Sequence, residues 1–244
     1  MPGEGITMIK QLLKNILLGE KASSKLFVAY LRKQGVQIGE HVRFYSPPHT
    51  LVDLSCPWLI TIGNHVCITH GVIILTHDYS WAVLKQLTDS EGVVYGAQSP
   101  VKIGNNVFIG MNAVITRGVT IGNNVIIGAG SVVTSDCENN SVYAGVPARR
   151  IMSVEQYREK CGGRQVEEAK TLVQEYRRRY GENPPKEVLS EYCMLFSSIE
   201  EAARFQPFRN KLESGGNYNQ SVEYMQTHPV MFESYEAFLH ACGE

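Results

Sequence analysis

The stretch "IGNNVFIGMNAVITRGVTIGNNVIIGAGSVVTSDCE", residues 103–138, repeats every six residues. Aliphatic side chains fall at Ile103, Ile109, Ile115, Ile121, Ile127 and Val133, and glycine follows at Gly104, Gly110, Gly122 and Gly128. Four places after most of the aliphatic positions stands a small residue or valine: Val107, Ala113, Val119, Val125 and Ser131. A period of six fits neither the 3.6 of a helix nor the 2 of a simple amphipathic strand. It fits a short strand plus a turn, with one aliphatic side chain per unit directed into a shared interior. Stacking such units pairs each strand with its equivalent in the next coil, so parallel sheets wound into a solenoid are expected. Ordinary hairpins would need alternating polarity and varied turns, which this register lacks.

Upstream, Ile38, Phe44, Ile62, Ile68 and Ile74 share a second six-residue register, with Thr50 and Cys56 as weaker members. Ile74 and Ile103 are 29 residues apart, which is not a multiple of six. A loop must therefore leave the solenoid over about residues 77–100. It begins within "ILTHDYSW", residues 74–81, where His77 and Asp78 follow directly on the aliphatic run. The thirteen hexads of the two registers predict four coils and a little more.

The bulk numbers set the setting for this repeat. A chain of 244 residues has room for one large domain with a helical appendage, and 43% hydrophobic with 19% charged residues is ordinary for a globular protein. The formal net charge of −1, from 23 basic and 24 acidic residues, gives no footprint for nucleic acid or an anionic membrane. Cys56, Cys67, Cys137, Cys161, Cys193 and Cys242 have no metal-site or disulfide spacing and read as reduced thiols of a cytoplasmic protein. "MPGEGITMIKQLLKNILLGEK" is broken by Lys10 and Lys14, so neither a signal peptide nor a transmembrane segment is expected there.

Helices are expected on both flanks, where they would cover exposed strand edges. Residues 6–34 carry an apolar stripe at Ile6, Ile9, Leu12, Leu13, Ile16 and Leu17, then "SSKLFVAYLRKQ" with Ser23 or Ser24 as N-cap. A helix packed on its own domain is favoured there over one lying on a membrane surface. After residue 152 the composition turns helical, with "SVEQYREKCGGRQVEEAKTLVQEYRRRYG", a restart after Pro184–Pro185, a polar loop "ESGGNYNQ" and a last helix near 231–242. The expected organisation is a helical cap over 1–35, a solenoid over 36–152 and a helical extension over 153–244.

The register, together with "ILTHDYSW", "NNVFIGMN" and "AGVPARRI", resembles the hexapeptide-repeat acyltransferases. Within them it looks most like bacterial O-acetyltransferases of capsular and other surface polysaccharides. The resemblance covers about residues 36–152 and implies a left-handed parallel β-helix, mainly β, usually trimeric with active sites between subunits. It implies acetyl-CoA as donor, a saccharide acceptor, direct attack without an acyl-enzyme and no required metal. His77, at the start of the loop, takes the place of the general base, a task suited to imidazole with its unperturbed pKa of about 6.5. By the same resemblance Met111, Ala129, Thr134, Ser135 and Arg149 would contact coenzyme A. Phe108 stands where relatives often have Trp, and Ser135 where they often have a basic residue that Arg150 would replace. Asp53 and Trp58 in "LVDLSCPW" are sensible sugar contacts, a carboxylate for hydroxyls and a flat ring for a pyranose. Asp78 is structural or acceptor-facing, since adjacent side chains on extended backbone point opposite ways.

Other readings compete. Small-molecule and amino-sugar N-acetyltransferases share the fold. A γ-type carbonic anhydrase needs three zinc ligands, and His65 and His70 in "NHVCITHG" offer two, with His41 and His49 wrongly spaced as a third. A non-catalytic solenoid scaffold needs neither the loop nor the arginine after the last coil.

Overall fold

The computed structural model describes residues 17–87, 89 and 91–243, and two compact units divide between Tyr157 and Arg158. The first is a parallel β-helix with three faces. Gln37–Ile38, Ile60–Ile62, Val101–Ile103 and Thr120–Ile121 stack in one sheet. Arg43–Phe44, Cys67–Ile68, Val107–Ile109 and Val125–Ile127 form the second, and Leu51–Val52, Ile73–Ile74, Val114–Ile115 and Val132–Val133 the third. Lys102 pairs with Thr120, Val107 with Val125 and Val114 with Val132, each eighteen residues on, so three hexads make one coil. An isolated bridge from Ile121 to Cys137 and the strand Ser141–Gly145 begin a fifth coil. An antiparallel partner, Ala148–Ser153, folds back to end the stack.

The hexad follows from this geometry. Ile62, Ile68, Ile74, Ile103, Ile109, Ile115, Ile121, Ile127 and Val133 are all buried in one continuous core. Stacked coils lie about 4.8 Å apart, so the residue after each inward position runs close under the turn above. A Cβ on Gly104 would meet the Gly122 carbonyl oxygen at 2.6 Å, which is why glycine recurs there. Asparagine makes the same corner self-pairing. Asn105 Oδ1 accepts from the Asn64 amide at 2.8 Å, Asn123 Oδ1 from Asn105 at 2.7 Å and Asn139 Oδ1 from Asn123 at 2.6 Å. Where the chain passes from the third face to the first, Thr116 and Thr134 replace glycine, and that is the corner from which the loop emerges.

Two expectations need correction. Thr50 and Cys56 are not stations of the lower register. Ile38 pairs with Ile62 and Phe44 with Ile68, but Val52, not Thr50, pairs with Ile74. The 3-10 turns Pro47–His49 and Pro57–Leu59 add residues to the first coil. Proline fixes φ and has no amide to give to a ladder, so these turns leave the strand pattern and shift the count. By contrast Ile62 pairs with Ile103, 41 residues on, twenty-three more than a coil, as an inserted loop requires.

The helix Ser24–Gln34 is capped by Ser23, whose hydroxyl accepts from the Leu26 amide at 3.2 Å, and stops at Gly35 with φ 108°. Phe27 and Leu31 are buried from this helix, and the Phe27 ring meets Phe44 edge-on at 5.0 Å. The helix thereby covers the apolar end of the first coil. Most of the apolar stripe predicted upstream lies outside the described residues, and Leu17, its last member, is exposed.

The second unit is helical. The long helix Val154–Tyr180 is followed by Ile199–Arg204, Gln206–Glu213, Tyr218–Thr227 and Tyr235–Ala241. Its core gathers Val173, Leu189, Phe196, Phe208 and Phe238. The restart after Pro184–Pro185 is a 3-10 run, Lys186–Leu195, broken by non-helical backbone at Leu189. Lys186 Nζ lies 5.4–6.0 Å from the Tyr235, Phe208 and Phe196 rings and pairs with Glu201. Arg177 donates to the carbonyls of Leu239 and Gly243 and so closes the last helix.

Candidate active site

The loop leaves the third face on a short antiparallel root. The Ser99 amide donates to the Thr76 carbonyl at 2.9 Å, the Asp78 amide to the Ala97 carbonyl at 3.1 Å, and His77 bridges Gln98. Extended backbone alternates its side chains, so the two residues flanking His77 face away from it or back into the coil. In the first coil the chain turns the same corner at residues 53–56, and this stacks Asp53 and Ser55 beside His77.

Asp53 is 7% exposed and accepts from five donors. Its Oδ1 takes the Ser55 amide at 3.0 Å and the Ser55 hydroxyl at 2.6 Å. Its Oδ2 takes the Thr76 amide at 2.9 Å, the Thr76 hydroxyl at 2.5 Å and His77 Nδ1 at 2.5 Å. Burial by itself would discourage ionisation. The hydroxyls and amides of Ser55 and Thr76 outweigh it and hold the carboxyl well below the usual carboxylate range. An ionised carboxylate at that distance requires a proton on Nδ1, because two facing lone pairs would repel. The neutral imidazole therefore carries its lone pair on Nε2, and no described residue hydrogen-bonds that atom. What results is an oriented, half-buried base at the mouth of an extruded loop.

Asp78 points the other way. Its carboxylate accepts from the Ser80 amide at 2.9 Å, the Ser80 hydroxyl at 2.5 Å and Arg117 Nε at 2.7 Å. These bonds, Ser80 first, lower its pKa below the usual carboxylate range, and they tie the loop root to the next coil. Tyr79, exposed, meets the His77 ring edge-on at 4.6 Å, and Trp81 lies 6.2 Å beyond it. Trp58 is 67% exposed in the turn that follows Ser55.

The residues expected to meet coenzyme A fall on two corners. His70, Met111 and Ala129 occupy equivalent stations between the second and third faces, where the Asn112 amide donates to the His70 carbonyl and the Gly130 amide to the Met111 carbonyl. Thr134 and Ser135 stand on the opposite edge of the third face, two coils above Leu75 and Thr76. Met111 is 50% exposed, Ala129, Thr134, Ser135 and Arg149 are exposed, and a methyl group on Gly130 would meet nothing within 4 Å. Arg149 Nη1 donates to the carbonyl of Ala148, and Arg150 lies 3.9 Å from Glu138. Both arginines lie on the strand Ala148–Ser153, opposite Ala144 and Tyr143.

The histidines of the zinc reading do not converge. His65 stacks on His41 at 4.6 Å at one corner, and His70 packs on His49 at 4.5 Å at the next. His41 and His65 adopt φ of 58° and 56° at the corner position that Asn106, Asn124 and Asn140 hold in later coils. In those later coils Asn106 donates to Asn124 Oδ1 at 2.8 Å and Asn124 to Asn140 Oδ1 at 2.7 Å, and the two histidines stand in the same column as stacked rings.

Three participants were not legible as such. Ser55, Thr76 and Arg117 gave no signal beyond adjacency, two residues from Asp53, next to His77, and one coil above it. Counting the coil offset would have brought residue 53 under residue 75, but the proline turns of the first coil hide that count.

A stack of hexads thus sets a carboxylate-oriented imidazole at the root of an extruded loop. Residues 100–135 match the bacterial transferase hexapeptide family, six repeats. Over 131 residues the chain is 48% identical to protein CapG of Staphylococcus aureus, covering 53% of this chain and 73% of that one. Over 149 residues it is 37% identical to the galactoside O-acetyltransferase of Escherichia coli K12, covering 61% and 68%. Among solved structures, a galactoside acetyltransferase in complex with coenzyme A aligns over 64% of this chain and 86% of its own, with 27% identity and a TM-score of 0.42. The chain belongs to the hexapeptide-repeat acyltransferase family.

Proposed function

We propose that the chain is an acetyl-CoA-dependent O-acetyltransferase that esterifies a sugar hydroxyl, on a capsular or other surface polysaccharide or its precursor. The observation that carries this reading is the Asp53–His77 pair, 2.5 Å apart, which leaves Nε2 free at the loop mouth. A sugar hydroxyl is a poor nucleophile at neutral pH. His77 Nε2 takes its proton as the oxygen attacks the thioester carbonyl, and the imidazolium so formed is stabilised by the buried carboxylate. The tetrahedral intermediate collapses, the carbon–sulfur bond breaks, and the imidazolium returns its proton to the departing thiolate. In this reading Asp53 acts behind the base rather than on the sugar, because both its oxygens are engaged and buried. Trp58 is left for the acceptor, and Asp78, whose oxygens are taken by Ser80 and Arg117, holds the loop root. Met111, Ala129, Thr134, Ser135 and Arg149 hold the donor.

The same reading includes a left-handed winding, a homotrimer and a cytoplasmic setting. Support for the trimer comes from the faces. Outward residues of the first sheet are Gln37, Thr61, Lys102 and Thr120, whereas those of the third are Leu51, Ile73, Val114 and Val132. An aliphatic stripe of that kind on a β face asks for a partner. All six cysteines are free, in keeping with a reducing compartment.

The test is product identification. Purified chain is incubated with acetyl-CoA and a panel of saccharides that includes galactosides and maltose, and mass and ester lability are followed. The reading expects a base-labile O-acetyl ester with equimolar free thiol. Only N-acetyl products, or thiol release without any acetylated saccharide, would overturn it.

A further inference from the structure

Resting on the base assigned above, we infer that Ser55 and Thr76 are positioning residues that set the tautomer and orientation of His77 through the carboxylate of Asp53. Four of the five donors to that carboxylate come from these two residues, by hydroxyl and amide alike. The Ser55 hydroxyl does more: its oxygen also lies 3.0 Å from His77 Nδ1, so it accepts part of the imidazole N–H while donating to Asp53 Oδ1. Ser55 comes from the first coil and Thr76 from the second, one on each side of Asp53, so neither the carboxylate nor the ring can turn without breaking a bond.

The chemical consequence is specific. A carboxylate 2.5 Å from an imidazolium competes for its proton. Dispersing its charge over four donors lowers its basicity, so the proton stays on Nδ1 and Nε2 remains the acceptor throughout turnover. Removing donors concentrates the charge on the two oxygens, which strengthens the pull on the imidazolium and lets the ring rotate. Other charged or titratable groups around the ring are few among the described residues. The loop root contributes Asp78, engaged by Ser80 and Arg117, and Tyr79 edge-on; the next coil contributes Arg117; the strand Ile73–Ile74 contributes none.

Ser55 is exposed, so Ser55→Ala leaves the fold intact, and Thr76→Val keeps the side-chain shape at a buried position while removing the hydroxyl that donates to Asp53. Nitrogen-15 spectra of the full chain with labelled histidine read the tautomer without any acceptor. The wild type is expected to hold the Nδ1-protonated form, and the Ser55→Ala/Thr76→Val double variant to give a mixture of both. Turnover of acetyl-CoA with a galactoside or maltose should fall about tenfold in kcat for Ser55→Ala, with KM for acetyl-CoA unchanged. Ser55→Thr, which keeps the hydroxyl, should restore kcat. An unchanged tautomer in the double variant would overturn the inference whatever the reaction proves to be. A His77→Ala chain at background rate beside a Ser55→Ala chain with wild-type kcat would also overturn it, leaving the base itself standing.

Discussion

Replacing Asp53 with asparagine tests the buried carboxylate in both stability and rate. The side chain keeps its shape but loses its charge and one acceptor. The best placement keeps the amide oxygen on the Thr76 and His77 side, where it replaces Oδ2. The amide nitrogen then faces the Ser55 backbone N–H, which cannot turn away, although the Ser55 hydroxyl can. A buried, opposed donor costs about 1–3 kcal/mol, and the surviving bonds lose their charge assistance. Relief of the buried charge returns part of this, so a net loss near 2 kcal/mol is expected at neutral pH. The rate should suffer more, because the imidazolium formed on proton transfer loses its counter-charge: about 100-fold or more in kcat, with KM for acetyl-CoA within about twofold. The pH dependence has a definite sign. Since the folded carboxyl lies below its ordinary value of about 3.9, its stabilisation is present above that pH and is lost as pH falls through the lower folded value. The gap between wild type and Asp53→Asn should therefore narrow in acid. Urea unfolding at a series of pH values and thiol-release kinetics measure the two effects. A folded variant with kcat within about threefold of wild type would refute the role given to Asp53.

Further outcomes follow from other parts of the molecule. Burial pushes the Tyr235 phenol up to about 12, and its hydroxyl donates to the Pro184 carbonyl at 2.6 Å. Its contribution is present below the unfolded value near 10 and lost as pH rises through 12, so Tyr235→Phe, weaker by about 1 kcal/mol at neutral pH, should match wild type in strong alkali when unfolding is followed by circular dichroism. Gly162 and Gly163 sit inside the helix Val154–Tyr180 with nothing within 4 Å of an added Cβ. Alanine at either should stabilise by about 0.5–1 kcal/mol and raise the melting temperature, and a fall would mean the glycines serve a bend. The proposed trimer should fall to a single chain in sedimentation when Val114→Lys is placed on the aliphatic third face, and should survive Lys102→Glu on the polar first face.

Much of the fold was written in the period. Wherever one coil is eighteen residues, the inward stations of residues 103–133 and the inserted loop can be counted from sequence, because each station has one steric task. The first coil resists such counting: Pro47–Pro48 and Pro57 displace it, which is why Thr50 and Cys56 looked like stations and Val52 did not. The site divides along the same line. His77 is legible because the register breaks just after it. Asp53 was legible as a polar residue but not as its partner, since that pairing depends on a coil offset which the proline turns alter. The helices Gln206–Glu213 and Tyr218–Thr227 take up both ends of the expected loop "ESGGNYNQ" and leave only residues 214–217; neither has a side-chain cap bond at its start, Asn217 included, so nothing local announced them.

The most direct measurement of the central claim is acetyl transfer by the full chain carrying His77→Ala, beside binding of coenzyme A to the same protein by calorimetry. The account predicts a rate lower by about 100-fold or more with coenzyme A affinity essentially unchanged, since the imidazole moves a proton and the donor is held elsewhere. Acetylation of the saccharide at the wild-type rate would contradict it.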